Sequence, residues 1–423
     1  MSLAFARCAA VLFLLAPFAA PRAAEPASAE PLGSRLEPLL AAAQSLSPTA
    51  RAAALSAQAA SDRAGGTGTL PDPTIRLQYG EMNCMPGADP IRPASCTQLS
   101  VEQEFPLWGK RGLARDVASA HATQAGADSD RIRLELLAAV KQAFAEYYVA
   151  NESIHITVDI RSTVSLAAEL AQRRYEQALG SQQDAIALKV ELAELDIART
   201  RKEAGLRRAA ARINALLNRP INAPLGSPAE LPAAPNADAL NLDDLVRRAR
   251  DANPILKGQD AAIAAAAGTK TLAEKSWYPD FTLGVSMMNQ ARQSPGYAGM
   301  VSVKIPLNTA QRRAETSAAR SEMDAARGRR EAADAEIRGA LETSFWSLKE
   351  AQGIAAILHE SHIPQANLSL KSALSGYGQN RVALTTVLDA ERHVLQNQNE
   401  HLMALMDQQK AIAELERLIG GPL

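Results

Sequence analysis

Val101-Glu102-Gln103-Glu104-Phe105-Pro106-Leu107 has a counterpart 200 positions further on, in Val301-Ser302-Val303-Lys304-Ile305-Pro306-Leu307. Both stretches end on an apolar residue, a proline and a leucine, and basic residues follow each (Lys110 and Arg111; Arg312 and Arg313). Each is also preceded by a second alternating run. Thr74 to Glu81 precedes Thr97 to Phe105, and Phe281 to Met288 precedes Ala298 to Ile305. Ile75, Leu77 and Tyr79 oppose Arg76, Gln78 and Gly80, and Leu99 and Val101 oppose Ser100 and Glu102. Phe281, Leu283, Val285 and Met287 oppose Thr282, Gly284 and Ser286, and Val301, Val303 and Ile305 oppose Ser302 and Lys304. A period of two gives strands with one apolar face and one polar face. That pattern suits a barrel wall between lipid and water, and equally a half-buried antiparallel sheet.

Outward from the strands, the same order of elements returns: helix, strand, loop, strand, very long helix, break, long helix. Tyr175 to Asp184 matches Tyr377 to Thr386 at an offset of 202. The spacing predicts an internal duplication, with a first repeat over residues 25–217, a proline-rich connector over 218–241 and a second repeat over 242–423. Pro220, Pro224, Pro228, Pro232 and Pro235 exclude regular helix from the connector.

The helices distinguish the two sheet readings better than the strands do. From about Gly109 to Leu179 there is no proline, and a continuous helix of that length reaches on the order of 100 Å, too long for a compact domain. Its counterpart runs from about Thr309 to Ser375, with an interruption expected at Pro364. In the last helix Leu388, Leu395 and Leu402 are seven apart, as are Leu405, Ile412 and Ile419, a coiled-coil spacing. Glu391, Gln398, Gln409 and Glu416 interrupt that seam, which suggests helices arranged side by side around water. The fold expected is mixed α and β, mainly α, with long antiparallel coiled-coil helices and four strands per chain.

Composition excludes several classes. The 45 basic and 46 acidic residues leave a net charge of −1, which gives no footing for nucleic acid. Arg7 followed by the apolar run Ala9 to Ala20 reads as a secretory signal, assigned to residues 1–24. Cys8 precedes that run and does not read as a lipid-attachment site. No later segment has the length and apolarity of a spanning helix, so a membrane span has to be made of strands. In an exported chain, Cys84 and Cys96 are expected to close a loop as a disulfide. Four strands cannot close a barrel, and open edges cannot face lipid because unpaired backbone groups are costly there. Three copies pool twelve strands, and cyclic symmetry closes the ring.

With these residues in view, the sequence resembles the TolC-type outer-membrane factor family, over nearly the whole mature chain. The duplicated order, the Phe105-Pro106-Leu107 and Ile305-Pro306-Leu307 exits and two tip segments carry the resemblance. The tips are Arg174-Tyr175-Glu176-Gln177-Ala178-Leu179-Gly180-Ser181-Gln182-Gln183-Asp184, and Tyr377-Gly378-Gln379-Asn380-Arg381-Val382-Ala383-Leu384 running on to Ala390. The resemblance implies a homotrimer with a shared twelve-stranded transmembrane barrel in outer-membrane lipid and a twelve-helix tunnel in the periplasm. It also implies a periplasmic adaptor and an inner-membrane efflux pump as partners, and no enzymatic activity. Glu104-Phe105-Pro106-Leu107-Trp108-Gly109-Lys110-Arg111 and Gly180-Ser181-Gln182-Gln183-Asp184 are most similar to the branch serving heavy-metal efflux. Ala178 and Asn380 stand where the family commonly has glycine.

At such tips Asp184, Arg381 and Asp389 are candidate gate charges, since carboxylates at a narrow wet mouth favour cations. The alternative is solvated helix-end charge. Tyr175, Gly180, Ser181, Tyr377, Val382 and Leu384 are candidates for adaptor contact or for shaping the turns. Other patterns carry less. Met82, Cys84, Met85 and Cys96, with Met287, Met288 and Met300, offer soft ligands for Cu(I), but scattered surface methionines and a disulfide account for them. His359-Glu360-Ser361-His362 is one residue short of a zinc-protease motif. Glu152-Ser153-Ile154-His155 has di-iron spacing without a second copy. There is no phosphate-binding loop or nucleophile elbow, so neither a cofactor nor a resident metal is expected. The rival readings are a duct for organic molecules and a soluble periplasmic coiled-coil adaptor.

Overall fold

The computed structural model describes residues 32–81, 95–290 and 294–423. The expected signal segment, Cys84, Met82 and Met85 lie outside the described residues. The chain is mainly helical with one four-stranded antiparallel sheet. Helices α1 (Leu36–Leu46) and α2 (Pro48–Gly66) lead into β1 (Thr74–Glu81) and β2 (Ser95–Phe105), then α3 (Lys110–Glu176) and α4 (Gln182–Leu216). After the connector come α5 (Leu242–Ala252), α6 (Pro254–Lys275), β3 (Asp280–Gln290) and β4 (Gly296–Lys304). The chain ends with α7 (Thr309–Ile357), α8 (Ile363–Gly378) and α9 (Leu384–Ile419).

The sheet order is β1-β2-β3-β4, so β1 and β4 are its edges. Leu77, Leu99, Met287 and Tyr297 lie in one cross-strand row, and Ile75, Val101, Val285 and Gly299 in the next. Facing residues in an antiparallel ladder share a side of the sheet, so these rows build one apolar face. Ile75, Leu77, Tyr79, Val285, Tyr297 and Val301 on it are each two-thirds or more exposed. The other face carries the ion pair of Arg76 with Glu102, at 3.2 Å.

The strand exits join sheet to helices. Trp108 has a left-handed φ of 63° and Gly109 one of 77°, which turns the chain sharply from β2 into α3. Trp108 Nε1 donates to the carbonyl of Pro279 at 2.8 Å. Lys110 Nζ donates to the carbonyl of Tyr278 and pairs with Asp280 at 2.8 Å. The exit of β2 is thereby tied to the entry of β3. The 67 residues of α3 then carry the chain on the order of 100 Å away.

Three buried clusters hold the helices. Leu39 of α1, Phe144 of α3 and Ile213 of α4 meet in one. Leu245 of α5, Leu341 and Leu348 of α7 and Leu415 of α9 meet in another. The third lies at the far end, between α3, α4, α8 and α9. The proline-rich connector runs extended and is pinned by side chains. Asn214 Nδ2 donates to the carbonyls of Ile221 and Ala223, and Gln352 Nε2 to that of Pro235.

Two expectations change. The break expected at Pro364 lies earlier, as a π-helical turn over Leu358–His362 that passes directly into α8. Pro364 has no N–H and its ring crowds the preceding turn; widening that turn accommodates it without ending the helix. The polar seam of α9 does not all face water. Glu391 is 1% exposed, Glu416 pairs with Lys141, and Gln409 Nε2 donates to the carbonyl of Pro232 at 2.7 Å. These partners come from distant segments that a heptad pattern does not reveal. No described helix is long and apolar enough to cross a membrane.

Phe144 is 1% exposed at the junction of α1, α3 and α4. Phe144→Ala is expected to cost about 3–5 kcal/mol through lost burial and the cavity left behind, read as a lowered thermal midpoint.

Candidate functional site

The end of the molecule opposite the sheet brings two turns together, between α3 and α4 and between α8 and α9. Both are built alike. At the first, Leu179 N donates to the carbonyl of Arg174 at 2.8 Å and Ala178 N to that of Tyr175 at 2.9 Å. At the second, Arg381 N donates to Gly376 at 2.8 Å and Asn380 N to Tyr377 at 3.1 Å. These paired bonds form a Schellman closure, which needs a left-handed residue just past the helix. Ala178 (φ 58°) and Asn380 (φ 61°) occupy that position. Asparagine tolerates the conformation and alanine is strained in it. The departure from glycine seen in the sequence therefore leaves the turn geometry intact at a local cost.

A polar clasp joins the two turns. Arg174 reaches across 203 residues of sequence. Its Nη1 donates to the carbonyl of Tyr377 at 2.5 Å and its Nη2 to Asn380 Oδ1 at 2.7 Å. Its guanidinium lies over the Tyr377 ring, 4.9 Å from the centroid. Tyr377 is 3% exposed, and its hydroxyl donates to Asp184 Oδ2 at 3.0 Å. Burial, then the hydrogen bond to Asp184 and the charge on that carboxylate, push the Tyr377 hydroxyl up to about 12. It therefore stays protonated and donating through the physiological range.

The remaining tip candidates occupy varied settings. Leu384 is buried in the tip cluster. Val382 packs so close to Gly376 that a Cβ there would stand 2.5 Å from Val382 Cγ2. Ser181 caps α4, its Oγ accepting from Gln183 N at 3.0 Å, and a Cβ on Gly180 would press on Arg174 Cβ at 3.0 Å. Tyr175 and Arg381 are exposed. Asp389 is also exposed, 4.0 Å from Arg392. The geometry thus unites Asp184 and Tyr377, and leaves Arg381 and Asp389 outside the clasp.

Sequence reasoning overlooked Arg174, which makes most of the clasp. A basic residue in the last helical turn next to Tyr175 is a weak signal, and its partners are remote in sequence. It also overlooked the ties above the tip: Arg392 to Glu191 at 3.3 Å, Arg161 to Asp196 at 2.7 Å, and Lys202 to Asn399 at 2.7 Å. Cys96 is disulfide-bonded. Among the described residues, no group of three or more His, Cys, Asp or Glu is arranged to hold a metal ion.

The clasp is expected to set local tip stability. Tyr377→Phe, which removes the hydroxyl and keeps the ring, should speed amide exchange at Leu179 and Arg381 about tenfold, as loss of a charge-assisted hydrogen bond implies. Ala178→Gly should slow exchange at Leu179 by relieving about 1 kcal/mol of left-handed strain.

Comparison with known proteins agrees with this architecture. Residues 245–421 match the sequence profile of the outer membrane efflux protein family. The cobalt-zinc-cadmium resistance protein CzcC of Cupriavidus metallidurans is 22% identical over 327 residues, covering 77% of each chain. The outer-membrane channel OprN superposes with a TM-score of 0.80 at 19% identity, over 91% of this chain and 90% of that one. The outer membrane protein VceC of Vibrio cholerae gives 0.79 at 18% identity, over 92% and 96%. The second half of the chain thus matches the outer membrane efflux protein family, and the whole chain shares its fold with solved outer-membrane channels.

Proposed function

We propose that the protein is the outer-membrane duct of a tripartite efflux system. In this reading three copies pool their sheets into a twelve-stranded barrel, and their long helices form a tunnel in the periplasm. The observation that carries it is the sheet: an exposed apolar face with two open edges on one end of helices about 100 Å long. Such edges are costly in lipid unless neighbouring copies pair with them. Two repeats, residues 25–217 and 242–423 joined by 218–241, then line the wall with six similar hairpins. Residues 1–24 direct export and are removed.

A duct does no chemistry, and the energy comes from an inner-membrane pump. The tip stays shut when idle and opens when a periplasmic adaptor docks, so its closing contacts must be ones that docking can replace. The clasp of Arg174, Tyr377 and Asp184 suits that task. Tyr175, Gly180, Ser181, Val382 and Leu384 are proposed to shape the docking turns, and Arg381 and Asp389 to add charge at the mouth. Similarity to a cobalt-zinc-cadmium resistance protein favours heavy-metal cations as cargo. Organic molecules are the second reading, because a wide tunnel leaves selection to the pump.

Fractionation of the envelope tests the duct. A detergent-solubilised species of three times the chain mass in the outer-membrane fraction is expected. A monomer in the detergent-free periplasm overturns the reading and leaves the soluble adaptor in front. Leu77→Arg, on the apolar face, should cost about 2–4 kcal/mol of membrane stability and deplete the outer-membrane species. Growth of a deletion strain across copper, zinc, cobalt and antibiotics separates the two cargo classes.

A further inference from the structure

Glu391 lies two turns into α9, within the tip cluster. It is 1% exposed, and neither carboxylate oxygen has a hydrogen-bond partner. Ala390 and Val394 flank it in the cluster, whose other walls include Leu188 of α4, Leu370 of α8 and Val164 of α3. The buried side chains that α3 and α8 contribute there are apolar or the tyrosine of the clasp. Two charged groups act on Glu391: Glu191 of α4, itself 8% exposed, and Arg392 of its own helix. Arg392 is already engaged, with Nη2 on Glu191 Oε2 at 3.3 Å.

A carboxylate without a donor in such a place is strongly disfavoured. It is relieved in two ways, by a proton or by water. Water requires room, and both carboxylate oxygens are sealed from solvent in this packing. We propose that Glu391 is a proton-controlled latch: the neutral acid permits the close approach of α4, α8 and α9 seen here, and the ionised form drives them apart to admit water.

The direction of the pH dependence follows from the packed state. Burial first, and the charge on Glu191 second, push the Glu391 carboxyl from 4.5 up to about 7, with Arg392 pulling the other way. A carboxyl raised in the packed state favours that state most below its ordinary value, and the advantage is lost as pH rises through about 7. Between those two values each pH unit costs the packed state up to about tenfold in population, and above about 7 the cost levels off. The clasp does not share this dependence, since Tyr377 keeps its proton up to about 12. The latch therefore acts on helix packing behind the clasp. Its meaning as part of a gate rests on the duct reading; the proton dependence of the packing does not.

The test reads packing directly, in the full-length protein in detergent. Val394→Cys places a thiol 2% exposed in the native side chain's position, one turn from Glu391. Its alkylation by a water-soluble maleimide is compared, at each pH, with that of Val394→Cys in a Glu391→Gln background. The ratio cancels the thiol's own pH dependence. Histidines in general charge over the same range, and the comparison leaves His393, His359 and His401 in place on both sides. The ratio is expected to rise about tenfold or more from about pH 5.5 and to level off in a bend near 7. Adding Glu191→Gln to the Glu391 protein should move that bend to lower pH, because a repelling charge is gone. A ratio constant from about pH 5.5 to 8.5 overturns the latch. Val387→Cys, on the preceding turn and 3% exposed, serves as the second reporter where Val394→Cys disturbs folding. No transport is needed for this readout, so failure of the latch and failure of the duct reading, which native mass decides, are told apart.

Discussion

The backbone N–H and C=O groups along the outer edges of β1 and β4 set the terms for this molecule. Inside the sheet every strand finds a partner, but these two edges have none among the described residues. In water an open edge is a risk of uncontrolled association; beside an exposed apolar face it is an invitation to pair. The rest of the architecture serves that sheet. The Trp108 and Lys110 contacts fix the angle at which two strand exits enter two helical layers. The long helices then carry this orientation to the tips. In the proposed assembly, one geometric relation at the strand exits governs both the closure of the barrel and the convergence of the tunnel.

Periodicity made most of the fold legible. Alternation located β1 to the residue, Thr74 to Glu81, and placed the other strands within two residues. The long proline-free run foretold α3 within three residues at its end. The break linked to Pro364 lies one turn before it. A proline announces lost hydrogen bonding, but where the helix absorbs it depends on packing along both flanks. The heptads of α9 showed where a seam lies and not what faces it, because Lys141, Pro232 and Glu191 approach from remote segments. Arg174 is the sharpest case. Its neighbours in sequence say helix end, while its function in the tip depends on Tyr377 and Asn380 more than 200 residues away. The tip candidates chosen from sequence share a place, but only Asp184 and Tyr377 share a hydrogen bond.

Two kinds of stored cost lie at the tip. Ala178 holds a left-handed backbone that glycine would adopt freely, and Glu391 holds a carboxyl where no donor meets it. The first is local and independent of solution conditions. The second is collective, because it depends on three helices staying close. Around them lie contacts of ordinary kind, among them Arg161 with Asp196 and Lys202 with Asn399. In the proposed duct, a closed end that has to open is well served by a few replaceable contacts over a strained packing.

The π-helical turn at Leu358–His362 has a consequence for how the second long helix divides its surface. An α-helix advances about 100° per residue, so one extra residue in a turn rotates everything beyond it by roughly that angle. Before the turn, α7 addresses α5, α6 and α9; after it, α8 addresses α9. The rod is continuous in backbone and discontinuous in phase. It behaves like a spliced shaft whose two lengths are cut for different neighbours. Because α9 runs unbroken past the splice and packs on both lengths, a change in the hairpin's length has to be matched in α9.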